Sequence, residues 1–261
     1  MNNPESKQNF TSSFEGLLDL VRHLRSDAGC PWDREQSSRS LSPMLLEEIY
    51  ELVSSIESEN KIDLLEELGD VLLHIAFQIE IANTKNLFDV KDVFNAAISK
   101  YVTRHPHVFA DESYESPEEL KQKWEELKRK EKDRNYILDG IPSNQPSLSH
   151  AQILQSRASR AGFDWENIIG VREKINEELN ELENTKNKSD RIEEFGDLIF
   201  TLVNYGRKLN IDVEQAVRLA NTKFISRFVA MEILAEQRDQ EFISLTIEQK
   251  DELWETVKNN Q

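Results

Sequence analysis

The chain has 261 residues, 38% hydrophobic and 31% charged, with 49 acidic against 32 basic side chains and a formal net charge of −17. Such a balance opposes binding to nucleic acid or to an anionic membrane, since both need a basic surface to displace counterions. No signal-like apolar stretch opens the chain, no apolar run approaches membrane-spanning length, and the single Cys30 excludes an internal disulfide, so a cytoplasmic protein is expected.

In chain order, residues 1–9 are polar and read as a disordered tail. Phe14, Leu17, Leu18, Val21 and Leu24 recur at helical spacing behind a capping-box pair, Ser12 and Glu15, and the Gly29-to-Asp33 stretch breaks that helix. Ser42-Pro43 reads as N-cap and first position of the next helix, which carries Glu47, Glu48 and Glu51. A polar loop around Asn60 leads to a helix with Leu64, Leu68, Val71, Leu72, Ile75 and Ile79 on its apolar side. Glu67 and Asp70 lie one turn apart on another side, with His74 packing beside the acidic face. Val90, Val93, Phe94, Ala97, Ile98 and Tyr101 mark a fourth helix, ended by Arg104-His105-Pro106-His107. Ser116-Pro117-x-Glu119 caps a fifth, highly charged helix to Arg134. Gly140, Pro142 and Pro146 punctuate a linker over 135–147, and further helices are expected near 148–160, 167–184, 189–209, 212–235 and 247–258.

One acidic pattern is written twice. Glu47-Glu48-x-x-Glu51 precedes Glu66-Glu67-x-Gly69-Asp70, and Glu177-Glu178-x-x-Glu181 precedes Glu193-Glu194-x-Gly196-Asp197. A single acidic triplet would arise by chance about twice in so acidic a chain and is ordinarily a solvated face. Two in the same order, each ending in Gly-Asp, are not a product of composition. The flanks repeat as well: Ala28-Gly29-Cys30-Pro31-Trp32-Asp33 is answered by Ala161-Gly162-Phe163-Asp164-Trp165-Glu166, and Lys100-x-x-x-Arg104 by Lys223-x-x-x-Arg227. The expectation is an all-α chain of two tandem, repeated helical-bundle modules, 10–134 and 148–261, joined by a short Pro/Gly/Ser linker.

Acids at i and i+3 or i+4 project from one helix face, so two antiparallel helices bring four carboxylates together. Unneutralised, such a cluster raises its own pKa values. Hard oxygen donors favour Mg²⁺, with Mn²⁺ as a substitute, over zinc or copper; the lack of a Glu-x-x-His pair weighs against a ferritin-like di-iron bundle. A cation held this way bridges phosphate oxygens and activates water for phosphoanhydride hydrolysis, with Lys223 and Arg227 placed to hold the outer phosphates. Trp32, Trp165 and Trp254 read as packing residues, and no Gly-rich phosphate loop is present. A helical module that senses nucleotide or metal without chemistry is the alternative.

Taken in order, Gly29-Cys30-Pro31-Trp32-Asp33, Leu46-Glu47-Glu48-x-x-Glu51, Glu67-Leu68-Gly69-Asp70, Arg104-His105-Pro106-His107-Val108-Phe109, Gly162-Phe163-Asp164-Trp165 and Ala220-Asn221-x-Lys223-Phe224-x-x-Arg227-Phe228 are specific. Across nearly its whole length the chain resembles MazG-type nucleoside triphosphate pyrophosphohydrolases of the all-α NTP pyrophosphatase group. The resemblance implies a hydrolase that converts an NTP or dNTP to monophosphate and pyrophosphate, with Mg²⁺, in a homodimer, in nucleotide-pool control or house-cleaning. It implies Glu178, Glu181, Glu194 and Asp197 as metal ligands of a catalytic C-terminal module. Glu48, Glu51, Glu67 and Asp70 form the corresponding set in the first, whose role as catalyst, regulator or scaffold stays open. The substrate-contacting set it implies is Lys174, Glu177, Glu178, Arg191, Glu193, Lys223, Arg227 and Trp254, with Lys100 and Arg104 as first-module counterparts. Family members often carry a lysine ahead of the second acidic motif; this chain has Asp190-Arg191, so Arg191 is expected to supply that charge. Glu177, Glu193 or a metal-bound hydroxide remain candidates for the general base.

Overall fold

A computed structural model describes residues 10–110, 116 and 136–260, and every regular element among them is helical. The helices are α1 (Phe14–Leu24), α2 (Pro31–Glu35), α3 (Ser38–Glu57), α4 (Lys61–Thr84), α5 (Val90–Arg104), α6 (Pro106–Phe109), α7 (Ser147–Arg160), α8 (Ile168–Asn184), α9 (Lys188–Lys208), α10 (Val213–Gln237) and α11 (Ile247–Asn259). A 3-10 turn spans Phe242–Ser244. The chain divides into two units, Met1–Leu127 and Lys128–Gln261. The tail expected over 1–9 and, Ser116 apart, the fifth helix expected up to Arg134 lie outside the described residues. No described helix is long and apolar enough to cross a membrane.

In the first unit two helix starts differ from the sequence expectation. Ser13, not Ser12, caps α1, its Oγ accepting from the Gly16 amide at 3.1 Å. Adjacent serines are equivalent caps by type, and only the backbone path decides which hydroxyl meets a free amide. Helix α3 begins well before Ser42-Pro43: Ser37 is its N-cap, in a reciprocal capping box with Ser40, and Pro43 lies inside the helix. A proline there removes the amide that would bond the Arg39 carbonyl. Ser42 Oγ donates to that carbonyl at 2.9 Å instead, which is how the helix runs through.

Helices α3 and α4 are joined by residues 58–60, and Asn60 caps α4 by accepting from the Ile62 and Asp63 amides. A turn this short makes the pair an antiparallel hairpin. Helix α1 packs against α4, and the core gathers Leu18, Val21, Leu41, Ala76, Phe77, Ile79 and Ile81. Of the apolar side expected for α4, only Ile79 is buried; Leu68, Leu72 and Ile75 stay exposed. The buried stretch is the C-terminal half of α4, where α1 and the start of α3 cover it.

The second unit repeats the hairpin. Helices α8 and α9 are joined through residues 185–187, and Asn187 caps α9 by accepting from the Asp190 amide at 2.9 Å. Helix α7 packs on α9 and α10, while α10 and α11 enclose Met231, Ala235, Leu253 and Val257. Arg157 of α7 donates to the Asp139 carbonyl at 2.8 Å, holding the preceding segment in place.

The aromatic loop between α7 and α8 is fastened at three points. Gly162, at φ 87°, turns the chain out of α7. Trp165 lies against Gly170, where a Cβ would come within 2.5 Å of the indole. Asp164 pairs with Arg207 at 2.6 Å and Lys208 at 2.8 Å, and Lys208 also donates to the Trp165 carbonyl. Burial alone would raise the Asp164 pKa, but the hydrogen bonds and charges of Lys208 and Arg207 outweigh it and hold the carboxyl below its ordinary value. A depressed carboxylate stabilises the fold fully above the unfolded value, near pH 4, and loses that contribution as pH falls through the folded one. Asp164→Asn is therefore expected to destabilise the protein by about 1.5–3 kcal/mol at neutral pH. In thermal melts the gap to the unmodified protein should close below about pH 4; a gap independent of pH would remove the clamp.

Candidate metal and nucleotide site

Each hairpin sets three acids facing one another. In the first unit Glu48 of α3 meets Glu67 and Asp70 of α4; in the second, Glu178 of α8 meets Glu194 and Asp197 of α9. In each trio one carboxylate oxygen per residue lies within 4.8 Å of the others. The i,i+3 spacing on one helix supplies two acids, and the antiparallel partner supplies the third. Glu51 and Glu181, expected as fourth ligands, stand outside these tight trios. They remain close enough that their charges are the leading electrostatic influence on Glu67 and Glu194 respectively.

Like charge and burial act in the same direction here. Desolvation first, then Glu181, Glu178, Glu193 and Asp197, push the Glu194 pKa up. Glu67 is raised by desolvation and by Glu51, Glu48 and Asp70. Glu48 is raised by desolvation, Asp70 and Glu51, against the opposing influence of His74. Negative charge concentrated this way calls for a cation.

The residues present fit one. Glu67 Oε2 and Glu178 Oε2 are buried with no hydrogen-bond partner, an uncompensated state for a carboxylate oxygen. Oxygen donors of this number and hardness suit a divalent ion.

The two trios differ in counter-charge. Glu178 is only 3% exposed, and its Oε1 meets Lys174 Nζ at 2.7 Å, one helical turn back. Lys174 also donates to Glu177 at 2.7 Å, and these hydrogen bonds raise its pKa above the ordinary lysine value. Met44 occupies the corresponding place in α3. There the counter-group comes from the other helix: His74, 8% exposed, places Nε2 3.7 Å from Glu48 Oε1. His74 was absent from the expected ligand set, although its i+4 spacing from Asp70 already put it on the acidic face.

Lys223 and Arg227 lie one turn apart on α10, Lys223 exposed and Arg227 half-buried. The Arg227 guanidinium sits 5.6 Å from the Trp254 ring centroid, and Trp254 also packs on Phe224, so α10 and α11 bring these two expected residues together. Arg191 Nε donates to the Thr185 carbonyl at 3.1 Å, across the turn that joins α8 and α9. In the first unit Lys100 lies over the Tyr101 ring, Arg104 is buried, and Tyr101, His105 and His107 form a ring series at the α5–α6 junction. Glu193 is exposed beside Glu194.

Residues 36–109, which contain the first hairpin, match the family model described as the MazG nucleotide pyrophosphohydrolase domain. Over 247 residues the chain is 44% identical to the nucleoside triphosphate pyrophosphohydrolase/pyrophosphatase MazG of Thermotoga maritima, covering 94% of this chain and 95% of that one. It is 36% identical over 259 residues to the nucleoside triphosphate pyrophosphohydrolase of Escherichia coli K12, covering 96% and 98%. It also shares 35% identity over 254 residues with the uncharacterized protein YabN of Bacillus subtilis, covering 95% of this chain and 52% of that one. By matches that run nearly end to end, and by a hairpin that brings its acids together, the chain belongs to the MazG family of nucleotide pyrophosphohydrolases.

Proposed function

We propose that this chain is a Mg²⁺-dependent nucleoside triphosphate pyrophosphohydrolase acting on NTPs or dNTPs, with its reaction centre at the α8–α9 hairpin and a homodimer as its working form. The observation that carries the reading is the buried, unpartnered Glu178 Oε2 at the centre of an acidic trio. Membership of the family, and the names of relatives matched along their whole length, support it.

Glu178, Glu194 and Asp197, with Glu181 beside them, would hold the ion. When bound, Mg²⁺ supplies charge to the phosphate oxygens and lowers the pKa of a coordinated water. Lys174 holds Glu178 through one oxygen, and Oε2 is left without a hydrogen-bond partner. Because Glu177 is tied to Lys174, Glu193 is the better-placed general base. It takes a proton from water as the water oxygen bonds to phosphorus, the α–β phosphoanhydride bond breaks, and pyrophosphate leaves with the electron pair. Lys223 and Arg227 balance charge on the outer phosphates, and Trp254 holds the Arg227 guanidinium in place.

The homodimer finds support in the apolar side chains that each unit leaves exposed on its acidic hairpin. Leu46, Tyr50, Leu68 and Leu72 stand out in the first unit, and Phe195 and Phe200 in the second. Cys30 is a free thiol, which suits the cytoplasm.

Incubation of the purified protein with each common NTP and dNTP, with Mg²⁺ and with chelator, should yield monophosphate and pyrophosphate only when metal is present. Saturable Mg-NTP binding without product would instead point to a sensing module. Glu178→Ala should lower turnover by about 10³-fold or more while far-UV circular dichroism is unchanged; undiminished turnover would refute the assignment. Since desolvation and then neighbouring charges raise the Glu194 pKa, its ionised form opposes folding once pH rises above the ordinary glutamate value. Glu194→Gln should accordingly raise the melting temperature in chelator at pH 8 and give less benefit as pH falls towards 4.5, with the advantage lost or reversed in saturating Mg²⁺. A variant that melts lower in chelator would contradict the electrostatic account.

A further inference from the structure

Phe224 of α10 is more than half exposed, so burial gives little account of it, yet its ring is engaged by two others. It stacks on Phe228, one turn on, with centroids 5.9 Å and planes 27° apart, and it meets the Trp254 indole of α11 at 5.6 Å and 44°. Phe228 in turn meets Phe242 of the 3-10 turn edge-on at 5.2 Å. Phe242 and Trp254 both pack against the core of Met231, Ala235, Leu253 and Val257, so the row is anchored at its two ends and open in the middle. All three separations fall where aromatic pairs attract beyond the area they bury. Trp254 is also the ring against which the Arg227 guanidinium sits, and Arg227 follows Phe224 by three residues on the same side of α10.

We propose that Phe224 is a positioning residue: it holds the Trp254 indole at the angle that keeps the Arg227 guanidinium on the ring, and so readies that charge for the outer phosphates of the substrate. This role rests on the proposed hydrolysis and adds a residue that the expected substrate-contacting set leaves out. An arginine side chain has several rotatable bonds, and a cation gains from a ring face only while the two keep their relative orientation. An indole free to change rotamer would leave the guanidinium to be ordered at the moment of binding, at a cost in affinity. Phe224 carries no charge, so it alters phosphate binding only through Arg227.

The test measures, by calorimetry on the full chain in Mg²⁺, the binding of inorganic pyrophosphate and of an NTP whose α–β bridging oxygen is replaced by a methylene group. Pyrophosphate has the outer phosphates and no base, so it separates an effect on Arg227 from stacking of the base on Phe224. Phe224→Leu should weaken both ligands by about 3- to 10-fold, and Phe224→Tyr, which keeps the ring, by less than about twofold. Phe224→Met serves in place of the leucine variant if that one loses helicity. In an Arg227→Gln background Phe224→Leu should change pyrophosphate binding by less than about 1.5-fold. Weakening of the nucleotide analogue alone would overturn the proposal by placing the base on Phe224. Equal weakening with and without Arg227 would overturn it by making the ring a structural support only. If the unmodified protein binds both ligands and Phe224→Leu changes neither, the positioning role alone is lost; if the unmodified protein binds neither, the hydrolase reading falls and this role falls with it.

Discussion

Three carboxylates confined between two antiparallel helices are the constraint on which the rest of the structure depends. Helical spacing can place two acids on one face, but the third must come from a facing helix held in register. Short turns at residues 58–60 and 185–187, closed by the asparagine caps Asn60 and Asn187, provide that register in both units. The raised pKa values of Glu48, Glu67 and Glu194 are the electrostatic consequence. A cation held there, as proposed, would relieve that repulsion.

The duplication preserves the problem and varies the answer. In the second unit the central glutamate is met by Lys174 from its own helix; in the first, by His74 from the opposite one. Each unit lacks what the other uses, with Met44 opposite the lysine and Thr201 opposite the histidine. A lysine neutralises permanently, fixes one carboxylate oxygen and leaves the other to a ligand. An imidazole carries no such permanent charge.

Much of this was legible from spacing alone. The repeated acids, the all-helical character and the hairpins follow from periodicity and turn residues, because these are local. What escaped depended on the path of the backbone or on distant packing. Ser12 and Ser13 are equivalent by type, and only the backbone path decides which hydroxyl meets the Gly16 amide. Ser42-Pro43 imitates a helix start, and nothing local says that Ser42 will take over the hydrogen bond lost at Pro43. The apolar stripe of α4 was legible as a stripe, but how much of it one protomer buries depends on where α1 ends. Lys174 could be picked out as a cation near the acids, while its double pairing with Glu177 and Glu178 required the rotamers.

The glycines in front of Asp70 and Asp197 connect the site to assembly. A glycine in mid-helix costs about 1 kcal/mol relative to alanine. Among the described residues nothing requires one at Gly69 or Gly196, since the space a Cβ would take has no described neighbour within 4 Å. Both sit on the helices that carry two of the three acids, beside the exposed side chains of Leu68 and Leu72 in one unit and Phe195 in the other. In the proposed dimer, a close approach by the second copy would account for glycine at both positions. Helices α4 and α9 would then meet the proposed metal on one face and the proposed partner on another, so that assembly and the geometry of the acids would be set by the same two elements.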